Sequence, residues 1–169
     1  PFIADLDAFL KSAIEGVVIT SENVKHRAMV EAAAKAGKWI LCEKPLATTI
    51  EDAQAMVDTC EKYGVGLGTA FPCRYVQPLM AVKEEIASGK YGKIYAATCT
   101  NNGSYPGGWF ADEKLSGGGA TMDHTVHVAD LLRWMFGCEF THVYCEKGNL
   151  IREGIGTDDV GSVHLEMEG

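Results

Sequence analysis

The sequence predicts an α/β fold, part of a doubly wound parallel sheet followed by part of an α+β domain with a mainly antiparallel sheet. Three observations predict it. Between residues 7 and 71, helical segments alternate three times with short apolar segments, the pattern of βαβ units joined by crossover helices. Those apolar segments show no clear in/out alternation, as expected of strands covered on both faces. Past Phe71 the texture changes to a helix, a long irregular loop, a second strong helix and two partly alternating strands.

Taken in order, residues 7 to 15 open on Asp7, a capping residue type, and place Leu10 and Ile14 four apart before Gly16-Val17-Val18-Ile19-Thr20, which predicts helix then buried strand. Residues 23 to 36 are Ala-rich, recur at Met29, Ala33 and Ala36, stop at Gly37 and lead into Trp39-Ile40-Leu41-Cys42. Helix then strand is predicted again. Thr48 or Thr49 can cap a third helix, with Glu51 near its positive end and Ala53, Met56, Val57 and Cys60 on one face, before a strand within 64–71. Further elements are a helix at 77–88, a strand at 93–100, a loop at 101–115, a helix at 119–136 and strands at 141–147 and 159–168. The boundary falls near residue 71, dividing the chain into 1–71 and 72–169.

Composition narrows the function. The chain has 169 residues, 47% hydrophobic, with 15 Lys+Arg against 23 Asp+Glu for a net charge of −8. An acidic surface disfavours nucleic acid as a partner, and no run approaches the roughly 18 apolar residues that a membrane span needs. Pro1-Phe2-Ile3-Ala4-Asp5 reads as mid-protein sequence, so both ends are expected to be cut. The six cysteines (Cys42, Cys60, Cys73, Cys99, Cys138, Cys145) contain no C-x-x-C pair, the pattern of reduced, mostly buried thiols in a cytoplasm.

Ligands of open parallel sheets gather at the carboxyl ends of strands. Thr20, Ser21, Asn23 and His26 follow the first strand, Glu43-Lys44-Pro45 the second, and Pro72, Arg74 and Tyr75 the third. Lys44, held between a buried strand and a proline, can aim an ammonium at a substrate oxygen; the alternative is that Glu43-Lys44 is a surface charge pair. A second constellation follows Ser116-Gly117-Gly118-Gly119. Asp123, His127 and Asp130 fall at i, i+4 and i+7 on one helix face, with His124 beside Asp123. A carboxylate within reach of an imidazole suits a general base for an alcohol proton; satisfied core histidines or a metal site built on His124 and His127 are the other readings. Gly64 to Gly68 precedes a strand instead of a helix and reads as a turn. Gly117 to Gly119 could bind an anion with backbone amides or give a substrate clearance.

In order and spacing, Thr20-Ser21-Glu22-Asn23-Val24-Lys25-His26, Glu43-Lys44-Pro45, Ala70-Phe71-Pro72-Cys73-Arg74-Tyr75, Ser116-Gly117-Gly118-Gly119 and Asp123-x-x-x-His127-x-x-Asp130 resemble the Gfo/Idh/MocA family of glucose-fructose oxidoreductase and inositol dehydrogenase relatives. The resemblance covers nearly the whole chain. It implies a Rossmann domain and an α/β domain whose sheet mediates homo-oligomerisation, with NAD or NADP as cofactor and a sugar or polyol as substrate. Lys44 is then the lysine at the reacting oxygen, His127 the acid/base and Asp123 its partner; these two elements are expected to meet across a cleft. Ser21, Asn23, His26, Glu43, Lys44 and Arg74 line the cofactor side, and Trp109, Phe110 and His124 the substrate side. No metal is implied. Glu22 stands where a proline is usual and Pro72 where an asparagine is frequent. The strand-GxGxxG-helix unit is not in the sequence, so the chain alone is expected to bind a dinucleotide poorly. A glycoside hydrolase working through transient oxidation and an inactive oligomerisation module are the alternatives on the same scaffold.

Overall fold

The computed structural model describes residues 2–169. It forms two compact units, one of residues 2–70 with Lys114–Gly117, the other of Phe71–Glu113 with Gly118–Gly169.

In the first unit, α1 (Leu6–Leu10), α2 (His26–Lys35) and α3 (Ile50–Tyr63) alternate with β1 (Gly16–Ile19), β2 (Trp39–Cys42) and β3 (Leu67–Thr69). The strands are parallel in the order β1-β2-β3, with Ile19 opposite Cys42 and Cys42 opposite Thr69. Caps fix the helices. Asp5, not Asp7, caps α1 by accepting from the Ala8 amide, and α1 is shorter than its sequence suggests. Thr49 caps α3 by accepting from the Asp52 amide, and Gly64, at φ 65°, ends it, so the glycine run is a turn. Val30, Ala33 and Ala34 of α2 and Met56 and Cys60 of α3 bury against Ile19, Ile40 and Cys42. The alanines let the backbone of α2 approach closely. Burial, with Glu43 adding like charge, pushes the Cys42 thiol up to about 12.

The expectation that both sheet faces are covered is corrected. Val18 and Trp39 are each 66% exposed and Leu41 43%, and β2 alternates exposed and buried. The reason is topological: two consecutive right-handed crossovers that step the same way put both helices on one face.

The second unit contains a 3₁₀ turn at Pro72–Tyr75, α4 (Gln77–Ala87), a 3₁₀ turn at Gly108–Ala111, α6 (Ala120–Phe136), and antiparallel strands β4 (Phe140–Gly148) and β5 (Val160–Met167); α5 (Glu113–Ser116) joins the two units. The strand expected at 93–100 does not form, and its residues are exposed. Among the described residues β4 and β5 pair only with each other, and a β-prone segment without a ladder partner stays irregular. The cysteines are all free, but only Cys42 and Cys60 are buried; Cys99 and Cys145 are exposed. No helix among the described residues is long and apolar enough to cross a membrane.

Candidate active site

In the first unit the carboxyl edge of the sheet gathers two loops. The Glu43 amide donates to the Ile19 carbonyl at 2.9 Å, extending the β1–β2 ladder by one residue, and the Ala70 amide donates to the Cys42 carbonyl at 2.8 Å. Ser21, Glu43 and Lys44, all half-buried, therefore leave neighbouring strands side by side. The Glu43 carboxylate turns back to accept from the Lys44 amide at 3.2 Å.

His26 and Asn23 hold this edge together from behind. The His26 ring is fully buried; Nδ1 lies 3.1 Å from the Pro45 carbonyl and 3.2 Å from that of Leu46, and Nε2 lies 3.1 Å from that of Ser21. One imidazole thus ties the loop after β1 to the loop that carries Lys44. Buried Asn23 donates its side-chain amide to the Ser116 carbonyl at 2.8 Å. Gly117, at φ 80°, packs where a Cβ would overlap Thr48. The positions that the resemblance places on the cofactor side are occupied by framework contacts at Asn23 and His26, whose side chains are inside the unit and not on its surface.

In the second unit, α6 carries Asp123, His124, His127 and Asp130. Asp130 is almost completely buried and receives the guanidinium of Arg74 through both Nε, at 2.8 Å, and Nη2. That hydrogen bonding raises the Arg74 pKa above its already high value. Arg74 is therefore engaged in pinning the Pro72–Tyr75 turn to α6. The same turn brings Cys73 Sγ to 3.8 Å from His127 Nδ1. Cys73 carried no signal in the sequence, because its partner is 54 residues away.

Asp158 is the second residue that sequence reading missed. Helix α6 begins at Gly119 with no side chain of its own to cap it. The Asp158 carboxylate accepts from the Gly119 amide at 3.2 Å and the Thr121 amide at 2.7 Å, and its carbonyl accepts from Ala120 at 2.8 Å. Lys147 Nζ lies 3.1 Å from the same carboxylate. Burial pushes the Asp158 carboxyl up, but hydrogen bonds from Thr121 and the Lys147 ammonium outweigh it and hold it below the ordinary aspartate range. A Cβ on Gly119 would overlap the Asp158 backbone. At Gly119, therefore, the amide is taken by the Asp158 carboxylate and the space a side chain would need is filled by Asp158 backbone.

A cleft of about 790 Å³ opens in the second unit, its wall including Asn101, Ser104, Tyr105, Asp123, His124 and Arg152. The His124 ring lies against Gly103, in the space a Cβ there would occupy. Trp109 stacks on Phe110 with ring centroids 3.8 Å apart, and Phe110 is the ring that reaches the wall. Among the described residues no three His, Cys, Asp or Glu side chains cluster closely enough to hold a metal ion.

Residues 1–71 match the model of the oxidoreductase family with an NAD-binding Rossmann fold, and residues 79–169 match that of the GFO/IDH/MocA C-terminal domain. The chain belongs to the Gfo/Idh/MocA oxidoreductase family. Similar proteins include a 1,5-anhydro-D-fructose reductase of Ensifer adhaerens, 34% identical over 90% of this chain and 47% of its own length. A myo-inositol 2-dehydrogenase of Thermotoga maritima is 31% identical over 85% of this chain and 42% of its own length. The crystal structure of the WlbA dehydrogenase from Bordetella pertussis in complex with NADH and UDP-GlcNAcA is 30% identical, with a TM-score of 0.81 over 96% of this chain and 48% of that one. The chain spans about half the length of the curated Gfo/Idh/MocA relatives it matches. Its first unit is thereby a parallel-sheet portion of an NAD-binding Rossmann fold.

Proposed function

We propose that the protein containing this chain is an NAD(P)-dependent oxidoreductase that transfers a hydride between the nicotinamide and a carbinol carbon of a sugar, polyol or related hydroxy compound. The observation that supports this most is the placement of Lys44. It leaves β2 at the carboxyl edge of a parallel sheet, beside Ser21, on a loop whose Pro45 and Leu46 carbonyls face the buried His26 ring. Residues present there suit the nicotinamide side of a cofactor: Ser21 offers a hydroxyl, Glu43 a carboxylate and Lys44 an ammonium. The bound cofactor supplies the hydride acceptor or donor.

The chain's own residues then do three things. Lys44 donates a hydrogen bond to the reacting oxygen and offsets the negative charge that develops there. His127 takes the hydroxyl proton as the carbinol becomes a carbonyl, and returns it in the reverse direction. Asp123, one helical turn before His127, accepts from a substrate hydroxyl and stabilises the charged imidazole. Ser21 and Glu43 border the cofactor; Asn23, His26 and Arg74 act there by holding loops in place. His124, Phe110 and Trp109 shape the substrate side. Names of relatives that reduce 1,5-anhydro-D-fructose or oxidise myo-inositol agree with this substrate class.

Residues 1–71 form the dinucleotide-binding part and 72–169 the substrate part. The β4–β5 sheet, where Val143 is 69% and Tyr144 63% exposed, is the homo-oligomer surface, and the protein works in the cytoplasm. The test is to follow the absorbance of reduced cofactor with the complete protein, NAD or NADP, and a panel of sugars and inositols. Turnover that falls in Lys44→Met and His127→Ala with cofactor binding retained supports the roles; no turnover on the panel overturns the reading.

A further inference from the structure

We infer that Arg152 and Tyr105 form a receptor for an anionic group of the substrate, a carboxylate, so that the cleft takes sugar acids in preference to neutral sugars. This rests on the cleft being the substrate side of the reaction proposed above. Arg152 is half-buried in the cleft wall, with its guanidinium carbon 4.6 Å from the centroid of the Tyr105 ring. The ring holds the cation through cation–π attraction, and a guanidinium whose N–H donors are not taken by a protein carboxylate can receive a ligand carboxylate through two parallel hydrogen bonds.

The backbone beneath it is pinned as well. The Asp159 carboxylate accepts from the amides of Leu150, Ile151 and Arg152 at 2.8, 2.9 and 2.7 Å. The cation is thus fixed at both ends before any ligand arrives, which lowers the entropy that binding costs.

The acids around it are committed elsewhere. Asp158 takes two helix amides and Lys147. Asp159 takes three amides and reaches Arg152 only through longer-range attraction. Among the described residues the Arg152 guanidinium has the Tyr105 ring as its side-chain contact and no carboxylate hydrogen-bonded to it. With a net charge of −8 the molecule as a whole repels anions, so an anion is held here only by a local device. Asn101, Ser104, Asp123 and His124 in the same wall supply partners for hydroxyls. A carboxylate on a polyhydroxylated carbon chain fits both sets.

The experiment is calorimetric binding to the complete protein of three matched pairs: glucuronate and glucose, galacturonate and galactose, gluconate and glucitol. The acid of at least one pair binds wild type about 10- to 100-fold more tightly than its neutral partner, the range of a charge-assisted hydrogen-bonded pair. Arg152→Met brings that ratio close to one, and Arg152→Lys restores part of it. Equal affinities within every pair, or a preference that survives Arg152→Met, would overturn the inference. Because binding is read without turnover, failure of hydride transfer on every sugar counts against the oxidoreductase reading alone.

Discussion

The carboxylate of Asp158 accepts the backbone N–H of Thr121 at 2.7 Å, so a residue just before β5 caps the helix that carries Asp123 and His127. Removing the acceptor in Asp158→Ala leaves two amides at the positive end of α6 without a partner and is expected to destabilise the protein by about 1–2 kcal/mol. Asp158→Asn, which keeps an acceptor oxygen, recovers part of the loss. Chemical denaturation of the two variants checks the order.

The same carboxyl predicts a pH dependence. Its folded pKa lies below the ordinary 3.8, so the stabilisation is complete above the ordinary value and is lost as pH falls from there through the lower folded value. Acid titration of stability in wild type and Asp158→Asn should converge in that acidic window and separate above it.

Gly119 has no room for a side chain, because a Cβ would overlap the Asp158 backbone. Gly119→Ala should cost more than a surface glycine replacement, about 2 kcal/mol or more, since backbone has to shift. Gly68→Ala, whose added Cβ meets only ordinary contacts, is the control in a thermal melt.

Arg74 and Asp130 form a coupled pair of which Asp130 is the buried member. Arg74→Met strands a buried carboxylate and is expected to cost about 1–3 kcal/mol, discounted because the arginine is partly exposed. Arg74→Met with Asp130→Leu should recover much of that loss. A double-mutant cycle that gives no coupling would contradict the pairing.

What could be read from the sequence followed from local periodicity and local capping. Residues 39–42 form the strand expected there because Gly37 and an apolar run mark it, and Thr49 is one of the two caps expected for α3. The helix expected at 119–136 forms as α6, Ala120–Phe136. The segment 93–100 has strand composition, but whether it pairs depends on a partner, which no local window contains. The site divided the same way. The face of α6 carrying Asp123 and His127 follows from helical spacing alone. The Asn23–Ser116 link spans 93 residues, the Arg74–Asp130 pair 56 and the Thr121–Asp158 cap 37, so the contacts that hold these loops lie outside any local window. Cys73 beside His127 was invisible for the same reason.

The most direct test of the central claim is single-turnover cofactor reduction by the complete protein, comparing wild type, Lys44→Met and His127→Ala at saturating cofactor. If a lysine leaving β2 and an imidazole on α6 handle the reacting alcohol, each substitution slows the chemical step by about 10²- to 10⁴-fold while the cofactor dissociation constant stays near that of wild type. Wild-type rates in both variants would contradict it.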